Sequence, residues 1–308
     1  METLLLIDGN AIMHRAFHAL PPLTSKDGTP TNVIYGFISM TYKVITDFKP
    51  DYVAAAFDTP EPTFRNKMYK EYQANRPKAE DSFIKQIPLV KEALDKANVF
   101  RVEKPGYEAD DVIGTITKIF NNAKVRVIIL TGDKDIMQLV NENTYVIAPL
   151  VGLSNTKIYD TTEVERRLDV SPSQIPDFKA LSGDPSDNYP GAQGIGPKTA
   201  SSLLSQFHTL EEIYNNIDAL KSEKIKNTLA AEKENVLMSK KLATIKCDVD
   251  ITVDINQLKF KGFSQDLKEF LEKYQINSLV KRLFEVKKSL PAGRQGSDKK
   301  SADQIGLF

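Results

Sequence analysis

Five short, strongly apolar runs alternate with longer segments of helical spacing in the first half of the chain. The runs are nearly continuous in apolar side chains, as in strands that are covered on both faces, and they occupy residues 3–8, 52–58, 99–102, 125–131 and 144–148. Between them, helical spacing predicts helices over 31–48, 82–97 and 108–121. The alternation predicts an α/β fold with a mainly parallel central sheet and helices on both faces.

The second half of the chain is predicted to be helical. Strand signals fade after about residue 160, and six helical segments follow, at 161–168, 172–182, 197–206, 209–216, 222–245 and 264–285. We therefore expect an α/β domain over 1–165 and a helical subdomain over 166–286. The polar, Gly-, Ser- and Lys-rich tail 287–308 has a composition typical of disorder.

Composition excludes several classes of protein. No apolar run reaches the roughly 18 residues that a membrane span requires. The N-terminal "TLLLID" predicts a strand rather than a signal peptide. Cys247 is the single cysteine, which excludes internal disulfides and favours the cytoplasm. With only His14, His18 and His208 beside it, the chain has too few soft ligands for a zinc site.

Carboxylates follow the ends of the predicted strands. Because the carboxyl ends of parallel strands share one rim of a sheet, these side chains should meet there. A further pair lies in "SGDPSDN" and can fold over the rim from the helical half. The nine predicted rim carboxylates are Asp8, Asp58, Glu108, Asp110, Asp111, Asp133, Asp135, Asp184 and Asp187.

The crowding of these acids indicates metal binding. A single Asp at a strand end is ordinarily a helix cap or turn residue, and "EADD" alone also suits a solvated helix start. Nine carboxylates on one rim repel one another unless positive charge lies between them. Hard divalent cations take oxygen ligands of this kind, and Mg²⁺ binds a few carboxylates plus waters. Two such ions form the usual clamp for in-line attack on a phosphodiester.

A glycine-rich turn indicates phosphate binding. In "PGAQGIGPKTA", Gly194 and Gly196 precede a helix that starts at Pro197 and continues with Lys198 and Thr199. Backbone N–H groups of such a turn bind anions, and a helix-hairpin-helix uses them to hold a DNA backbone without reading bases. A Walker A loop is rejected, because Pro197 interrupts the Gly-Lys pair and no strand precedes it. A purely structural turn remains the alternative.

Segment 63–78 combines cations with spaced aromatic rings. Phosphate pairing and base stacking on such a segment suit single-stranded nucleic acid, although a charge run can also be a solvated face. Without the nine rim carboxylates, the neutral chain has 41 basic and 32 acidic residues, which favours a nucleic-acid partner. The cations are Arg65, Lys67, Lys70, Arg76 and Lys78, interleaved with Phe64, Tyr69 and Tyr72.

Taken in order, these motifs resemble the 5′-nuclease (flap endonuclease) superfamily, most closely the N-terminal 5′–3′ exonuclease domain of bacterial DNA polymerase I. The resemblance covers about residues 3–285 and implies a PIN/5′-nuclease-like fold. It includes "LLLIDGN", "TNVIYGF", "AAFD" with "TFR", "GYEADDVIGT", "ILTGDKDIMQLV", "LSGDPSDNYPG" and "GIGPKTA".

The resemblance implies roles for the rim carboxylates. By that likeness the first metal is held directly or through water by Asp8, Asp58, Glu108, Asp110 and Asp111. A site of two or three metals is completed by Asp133, Asp135, Asp184 and Asp187. Mg²⁺ is the expected ion, and Mn²⁺ is expected to substitute for it.

The resemblance also implies roles for the basic residues. Segment 60–82 resembles the helical arch over the free 5′ strand, where Arg76 matches a phosphate-contacting arginine and Tyr72 a tyrosine that stacks on the nucleotide. Arg15 matches another basic residue near the phosphates, and Arg65 and Lys67 are expected to contact DNA. The family's usual lysine after the arch tyrosine is Gln73 here. We expect Lys70, one helical turn earlier, to substitute for it in a slower enzyme.

Two further features concern binding partners. The hairpin at 183–206 resembles the family's helix-hairpin-helix, which binds downstream duplex DNA, often with a K⁺ ion. The final "QIGLF" resembles the peptide that docks bacterial proteins on the sliding clamp, through Gln304, Leu307 and Phe308. Whether the chain is a free-standing nuclease or a fragment stays open, and the clamp motif favours the former.

The predicted function is a Mg²⁺-dependent 5′–3′ exonuclease and flap endonuclease. The expected substrates are branched, nicked or 5′-flapped DNA and RNA–DNA primer junctions, cut by a cytoplasmic monomer during replication and repair. The alternative is a non-catalytic module that binds DNA structures. It is disfavoured because binding alone would favour fewer negative charges facing DNA.

Overall fold

The computed structural model describes residues 1–121, 124–150, 152–153 and 155–285, and the predicted tail and clamp motif lie outside these ranges. All five predicted strands form, in one sheet with the order β3-β2-β1-β4-β5-β6. The first five strands are mutually parallel, and an unpredicted sixth strand pairs antiparallel with β5. The strands are β1 (Glu2–Asp8), β2 (Tyr52–Ala56), β3 (Phe100–Val102), β4 (Val125–Leu130), β5 (Thr144–Pro149) and β6 (Thr156–Tyr159).

Seven helices accompany the sheet within these described ranges. Those predicted over 31–48 and 108–121 are confirmed, whereas the one over 82–97 is divided in two. The helix that directly follows the first strand was not predicted. The seven are α1 (Gly9–Ala19), α2 (Asn32–Phe48), α3 (Phe64–Met68), α4 (Asp81–Ile84), α5 (Ile87–Lys96), α6 (Ala109–Phe120) and α7 (Thr161–Leu168).

The remaining described chain is helical, as predicted. The segment 222–245 is divided at Glu232, and 264–285 is divided where Gln275 adopts a left-handed backbone conformation with φ 59°. The helices are α8 (Ile175–Ser182), α9 (Pro197–Phe207), α10 (Leu210–Asn215), α11 (Glu223–Ala231), α12 (Lys233–Ala243), α13 (Gln265–Lys273) and α14 (Asn277–Phe284). Within the described ranges, none of the chain's helices combines the length and apolarity needed to cross a membrane.

The sheet separates two hydrophobic cores. On one face, Leu4 and Leu6 of β1 pack with α6 and with residues of α7 to α11. On the other face, Leu5 and Ile7 pack with α1, α2, α5, α13 and α14. This alternation follows from the two-residue period of a strand. The helical half therefore shares both cores with the sheet, which places its loops beside the carboxyl ends of the strands.

A close approach between Gly9 and Phe57 brings the first two strand ends together. A Cβ atom on Gly9 would lie 2.3 Å from a ring carbon of Phe57, a buried residue. Only glycine leaves room for the ring at this position. Because Asp8 precedes Gly9 and Asp58 follows Phe57, the contact sets the separation of two predicted metal ligands.

Candidate metal centre at the sheet rim

A cavity of about 640 Å³ opens at the carboxyl ends of the strands. Carboxylates from five separate chain segments line it, and four of these segments follow the carboxyl ends of β1 to β4. The aspartate at 184 lies on an adjoining groove instead, and the one at 111 points away. The lining carboxylates are the predicted Asp8, Asp58, Glu108, Asp110, Asp133, Asp135 and Asp187, together with Glu61, which was not predicted.

Backbone caps hold the carboxylates at the first two strand ends. One Asp8 oxygen caps α1 by accepting from the Ala11 N–H at 2.9 Å, and the other accepts from the Thr131 hydroxyl at 2.6 Å. Asp58 accepts from the Ala109 N–H at 2.7 Å, at the start of α6. Asp8 and Asp58 therefore each accept a hydrogen bond at the start of a helix and also line the cavity.

The helical half completes the rim from the other side. Asp184 and Asp187 lie in the loop between α8 and α9, and each offers an oxygen to the same point as Asp135. These three oxygen atoms all lie within 4.8 Å of one another. The donor set is made of carboxylate oxygens only, which suits a hard divalent cation better than a soft one.

Lys179 is a member of this cluster that the sequence reasoning missed. Its amine on α8 forms ion pairs with both Asp135 and Asp184. Burial opposes its charge, but the two carboxylates outweigh that effect and raise the pKa of Lys179 above its ordinary value. Its position five residues before Asp184, on the helix that leads into the "GDPSDN" loop, was the available signal.

Burial dominates the electrostatics of the other carboxylates. It raises the pKa of Asp8 and of Asp135 to about 7. It also raises the pKa of Glu108 to about 7, although the Arg65 charge acts in the opposite direction. The pKa of Asp110 is raised as well, first by burial and then by the charge of Asp133. These groups need a positive charge among them to ionise fully, as a divalent cation would supply.

Arg65 and Asp111 have a different role from the predicted ones. Asp111 is fully buried, and its two oxygens accept from the Arg65 guanidinium at 2.7 and 2.8 Å. The same guanidinium donates to Glu108 and to the backbone carbonyls of Leu242 and Thr244. All N–H groups of the Arg65 guanidinium are already hydrogen-bonded, and 3% of its surface is exposed. Arg65 therefore has no donor available to contact DNA. The pair instead joins α3, α6 and the segment after α12.

The expectation for Lys70 rested on a helix that does not form there. Helix α3 ends at Met68, and Gln73 has a left-handed backbone with φ 58°. Lys70 and Gln73 therefore do not share a helical face. Gln73 lines the cavity, whereas Lys70 and Lys67 are exposed outside it.

Arg76 and Tyr72 lie at the cavity as the resemblance implied, but both already have partners there. Arg76 forms an ion pair with Asp187 at 2.7 Å, and about half of its side chain stays exposed. The Tyr72 hydroxyl lies 3.2 Å from Asp187 and 3.3 Å from Glu108. The Tyr72 ring is buried and stacks on Tyr189, so its stacking on a nucleotide stays a prediction.

His14, rather than Arg15, faces the cavity from α1. Arg15 donates to the backbone carbonyl of Leu150 and does not line the cavity. The His14 ring stacks on Phe83 with 4.3 Å between centroids. Burial lowers the pKa of His14, and the charges of His18 and Arg76 lower it further, so the ring is neutral at pH 7.

The glycine turn has the predicted form. Gly194 has a positive φ of 78°, and Gly196 is the N-cap of α9. Lys198 is exposed and Thr199 half-buried on the first turn of that helix. None of these four residues lines the cavity. The turn is therefore a separate surface, and its contact with DNA stays a prediction.

Comparison with known proteins gives a consistent result. Residues 3–169 match the 5′-3′ exonuclease N-terminal resolvase-like domain, and residues 170–266 match the 5′-3′ exonuclease C-terminal SAM fold. A 5′-3′ exonuclease of Aquifex aeolicus is 39% identical, over 93% of this chain and 96% of that protein. DNA polymerase I of Caldicellulosiruptor bescii is 43% identical, over 91% of this chain and 33% of that protein. The chain spans about a third of the length of such polymerase relatives.

Solved structures share the fold. The T5 5′-exonuclease, in a structure with bound zinc ions, superposes with a TM-score of 0.68 at 19% identity, covering 89% of this chain and 99% of that one. The catalytic core of Rad2, in complex with a DNA substrate, gives a TM-score of 0.56 at 16% identity and covers 91% of this chain and 92% of that one. At these identities the likeness concerns the architecture alone.

We predict that the metal-free protein loses stability as the pH rises from about 5 to 8. Asp8, Glu108 and Asp135 have a pKa of about 7 in the folded state, against about 4 when exposed. The folded state thus holds more protons in this window, so the free energy of unfolding falls with pH. Added Mg²⁺ should stabilise more at pH 8 than at pH 5, because cations bind the ionised ligands. Thermal unfolding in EDTA and in Mg²⁺ measures both trends, and a flat profile in EDTA would contradict the first.

The buried Arg65–Asp111 pair predicts a large effect on stability. Arg65→Met should lower the free energy of unfolding by about 3–5 kcal/mol, because Asp111 is left buried without a counter-charge. Arg65→Lys should rescue little of this, since an ammonium group cannot donate to both carboxylate oxygens in parallel. The matched control is Lys67→Met, two residues along and exposed, which should change stability by less than about 0.5 kcal/mol. Urea unfolding checks this, and equal effects at the two positions would exclude a structural role for the pair.

Proposed function

The chain belongs to the 5′–3′ exonuclease family, and from that premise we propose that it hydrolyses phosphodiesters at the 5′ ends, flaps and nicks of DNA. The activity is that of a divalent-metal-dependent 5′–3′ exonuclease and flap endonuclease. The observation that carries the proposal is the carboxylate-lined cavity at the sheet rim, with the half-exposed guanidinium of Arg76 beside it. Acidic ligands and a phosphate-binding cation at one site suit phosphoryl transfer.

The proposed cofactor is Mg²⁺, with Mn²⁺ able to substitute. Asp135, Asp184 and Asp187 would hold one ion, since their oxygens already converge. Asp8, Asp58 and Asp110 would hold another from the opposite side of the rim, with Glu108 beside them. Ions at such a site lower the pKa of an attacking water and neutralise charge on the phosphate in the transition state. Asp111 is left out of this proposed set, because Arg65 occupies both of its oxygens.

The basic residues of segment 60–82 would bind the 5′ strand. Arg76 pairs with Asp187 at 2.7 Å and is half-exposed, so it can exchange this carboxylate for a phosphate oxygen. Lys67 and Lys70 are exposed on the same segment and would contact phosphates farther along the strand. Gln73 lines the cavity where the family often has a lysine. A neutral amide there would stabilise transition-state charge less than an ammonium group, which gives a slower enzyme.

The hairpin would hold the downstream duplex. Backbone N–H groups around Gly194 and Gly196 lie at the start of α9, where the helix dipole favours a phosphate. Lys198 is exposed on the first turn and adds positive charge. A K⁺ ion would bridge the turn and a phosphate. Contacts of this kind recognise duplex shape and strand ends rather than base sequence.

The proposed context is replication and repair of DNA in the cytoplasm, including removal of RNA primers, by a monomer. Relatives named DNA polymerase I match this chain over about a third of their length. The single cysteine is consistent with a reducing compartment. The C-terminal residues "QIGLF" would bind a sliding clamp through Gln304, Leu307 and Phe308, which would bring the nuclease to primer junctions.

A duplex with a 5′-labelled flap tests the activity. Short labelled products should appear with Mg²⁺ and disappear in EDTA. Asp110→Asn should lower the cleavage rate at least about 100-fold while duplex binding persists, because one anionic ligand is lost. The matched control is Asp47→Asn on the outer face of α2, which should cut like the parent chain. Tight duplex binding without products under any divalent cation would instead support the DNA-structure-binding alternative.

The same assay tests the role of Gln73. Gln73→Lys should raise the rate of the chemical step several-fold in single-turnover conditions, with duplex affinity little changed. Lys70→Gln should weaken substrate binding without slowing single-turnover cleavage at saturating enzyme, because Lys70 lies outside the cavity. A rate unaffected by Gln73→Lys would show that the amide position is remote from the scissile phosphate.

Deletion of residues 304–308 tests the clamp proposal. The shortened chain should bind a bacterial sliding clamp at least about 10-fold more weakly, because the Gln and the Leu-Phe pair supply the contacts. Cleavage of a flap in the absence of clamp should not change. Surface plasmon resonance measures the first effect and the flap assay the second. Clamp affinity that is equal with and without the five residues would rule out this docking role.

A further inference from the structure

The hydroxyl of Tyr189 is buried without a hydrogen-bond partner among the residues that the structure describes. Tyr189 lies in the loop between α8 and α9, two residues after Asp187, and 4% of its surface is exposed. A hydroxyl can donate one hydrogen bond and accept two. A buried polar group without a partner costs stability, so such a group in a native fold calls for an explanation.

The position of the Tyr189 ring is well determined by its surroundings. Its backbone N–H donates to the Asp184 carbonyl at 3.2 Å, and the Asp184 N–H donates back at 3.1 Å. The ring stacks on Tyr72, with 6.3 Å between centroids and 19° between planes. Leu242 and Ala243 pack beside the two rings. The hydroxyl therefore cannot easily turn away to find water.

Tyr189 lies next to the Asp135–Asp184–Asp187 cluster, because its backbone pairs with that of Asp184 and it follows Asp187 by two residues. After burial, the charges of Asp135, Asp184 and Asp187 are the main influences that raise the pKa of Tyr189, so the phenol lies within their field. The neighbouring Tyr72 differs, because its hydroxyl already contacts Asp187 at 3.2 Å. Of the two stacked tyrosines beside this cluster, Tyr72 thus hydrogen-bonds to a carboxylate, whereas the Tyr189 hydroxyl has no partner among the described residues.

We propose that Tyr189 is a positioning residue of the cation site. In this arrangement Asp135, Asp184 and Asp187 hold a divalent cation, which carries and polarises water. One of these waters donates a hydrogen bond to the Tyr189 hydroxyl oxygen. Hard cations such as Mg²⁺ keep several waters when bound by carboxylates, and groups that hold the outer shell are important for affinity. This inference rests on the proposed function, since it needs a divalent cation at that cluster.

Tyr189→Phe separates this role from a purely structural one. The ring and its stacking remain, and only the hydroxyl is lost. In EDTA the melting temperature should stay equal or rise, because the variant no longer buries an unpaired hydroxyl. Mn²⁺ affinity, measured without DNA by the free-ion electron paramagnetic resonance signal, should fall about 10-fold. The thermal stabilisation by Mg²⁺ should shrink accordingly, since it scales with the logarithm of cation affinity.

Tyr214→Phe is the matched control. The Tyr214 hydroxyl donates to the Leu229 carbonyl at 3.3 Å, in the helical half. This variant should lose some stability in EDTA and bind Mn²⁺ like the parent chain. Unchanged Mn²⁺ affinity in Tyr189→Phe would overturn the proposal, as would a lower melting temperature in EDTA, which would indicate a protein partner. Failure of the parent chain itself to bind Mn²⁺ would overturn the cation site, and this inference with it.

Discussion

Repulsion among buried carboxylates is the constraint on which the rest of the structure depends. Three cations lie among the acids: Arg65 and Arg76 of segment 60–82, and Lys179 of α8. Each ion pair joins an element outside the sheet to the rim, so the cations that offset the repulsion also hold segment 60–82 and α8 in place. These ion pairs are therefore part of the fold, and a bound cation would replace some of them at the carboxylates.

The three cations are not equivalent. Arg65 is buried and fully hydrogen-bonded, so its loss would leave a charge in the core. Lys179 pairs with two carboxylates of the three-acid cluster, and Arg76 pairs with the third while half-exposed. An exposed pair is weak in water and easily exchanged. Burial thus separates Arg65, which has a structural role, from Arg76, whose exposed pair is the one proposed to exchange its carboxylate for phosphate.

Much of the fold follows from local patterns, and the exceptions have local causes. The parallel strands were predictable because burial on both faces makes their sequences continuously apolar. Strand β6 was missed because "TKIY" is short, half-exposed and at the edge of the sheet. Helix α1 was not predicted because Asp8 is both the last residue of β1 and the N-cap of α1, so no loop separates the two elements. The helix predicted over 264–285 is divided at Gln275, whose positive φ a propensity argument does not detect.

The sequence by itself determined that acids would gather at one rim, because chain direction decides at which end of a parallel sheet each loop lies. Only the tertiary structure decided which acids face the cavity. Asp110 and Asp111 are adjacent, but successive side chains on a helix point about 100° apart, so Asp110 lines the cavity and Asp111 meets Arg65 in the core. The local sequence does not determine which of the two acids faces the cavity, nor that Lys179 of α8 contacts the cluster. Both depend on how distant helices pack across the sheet.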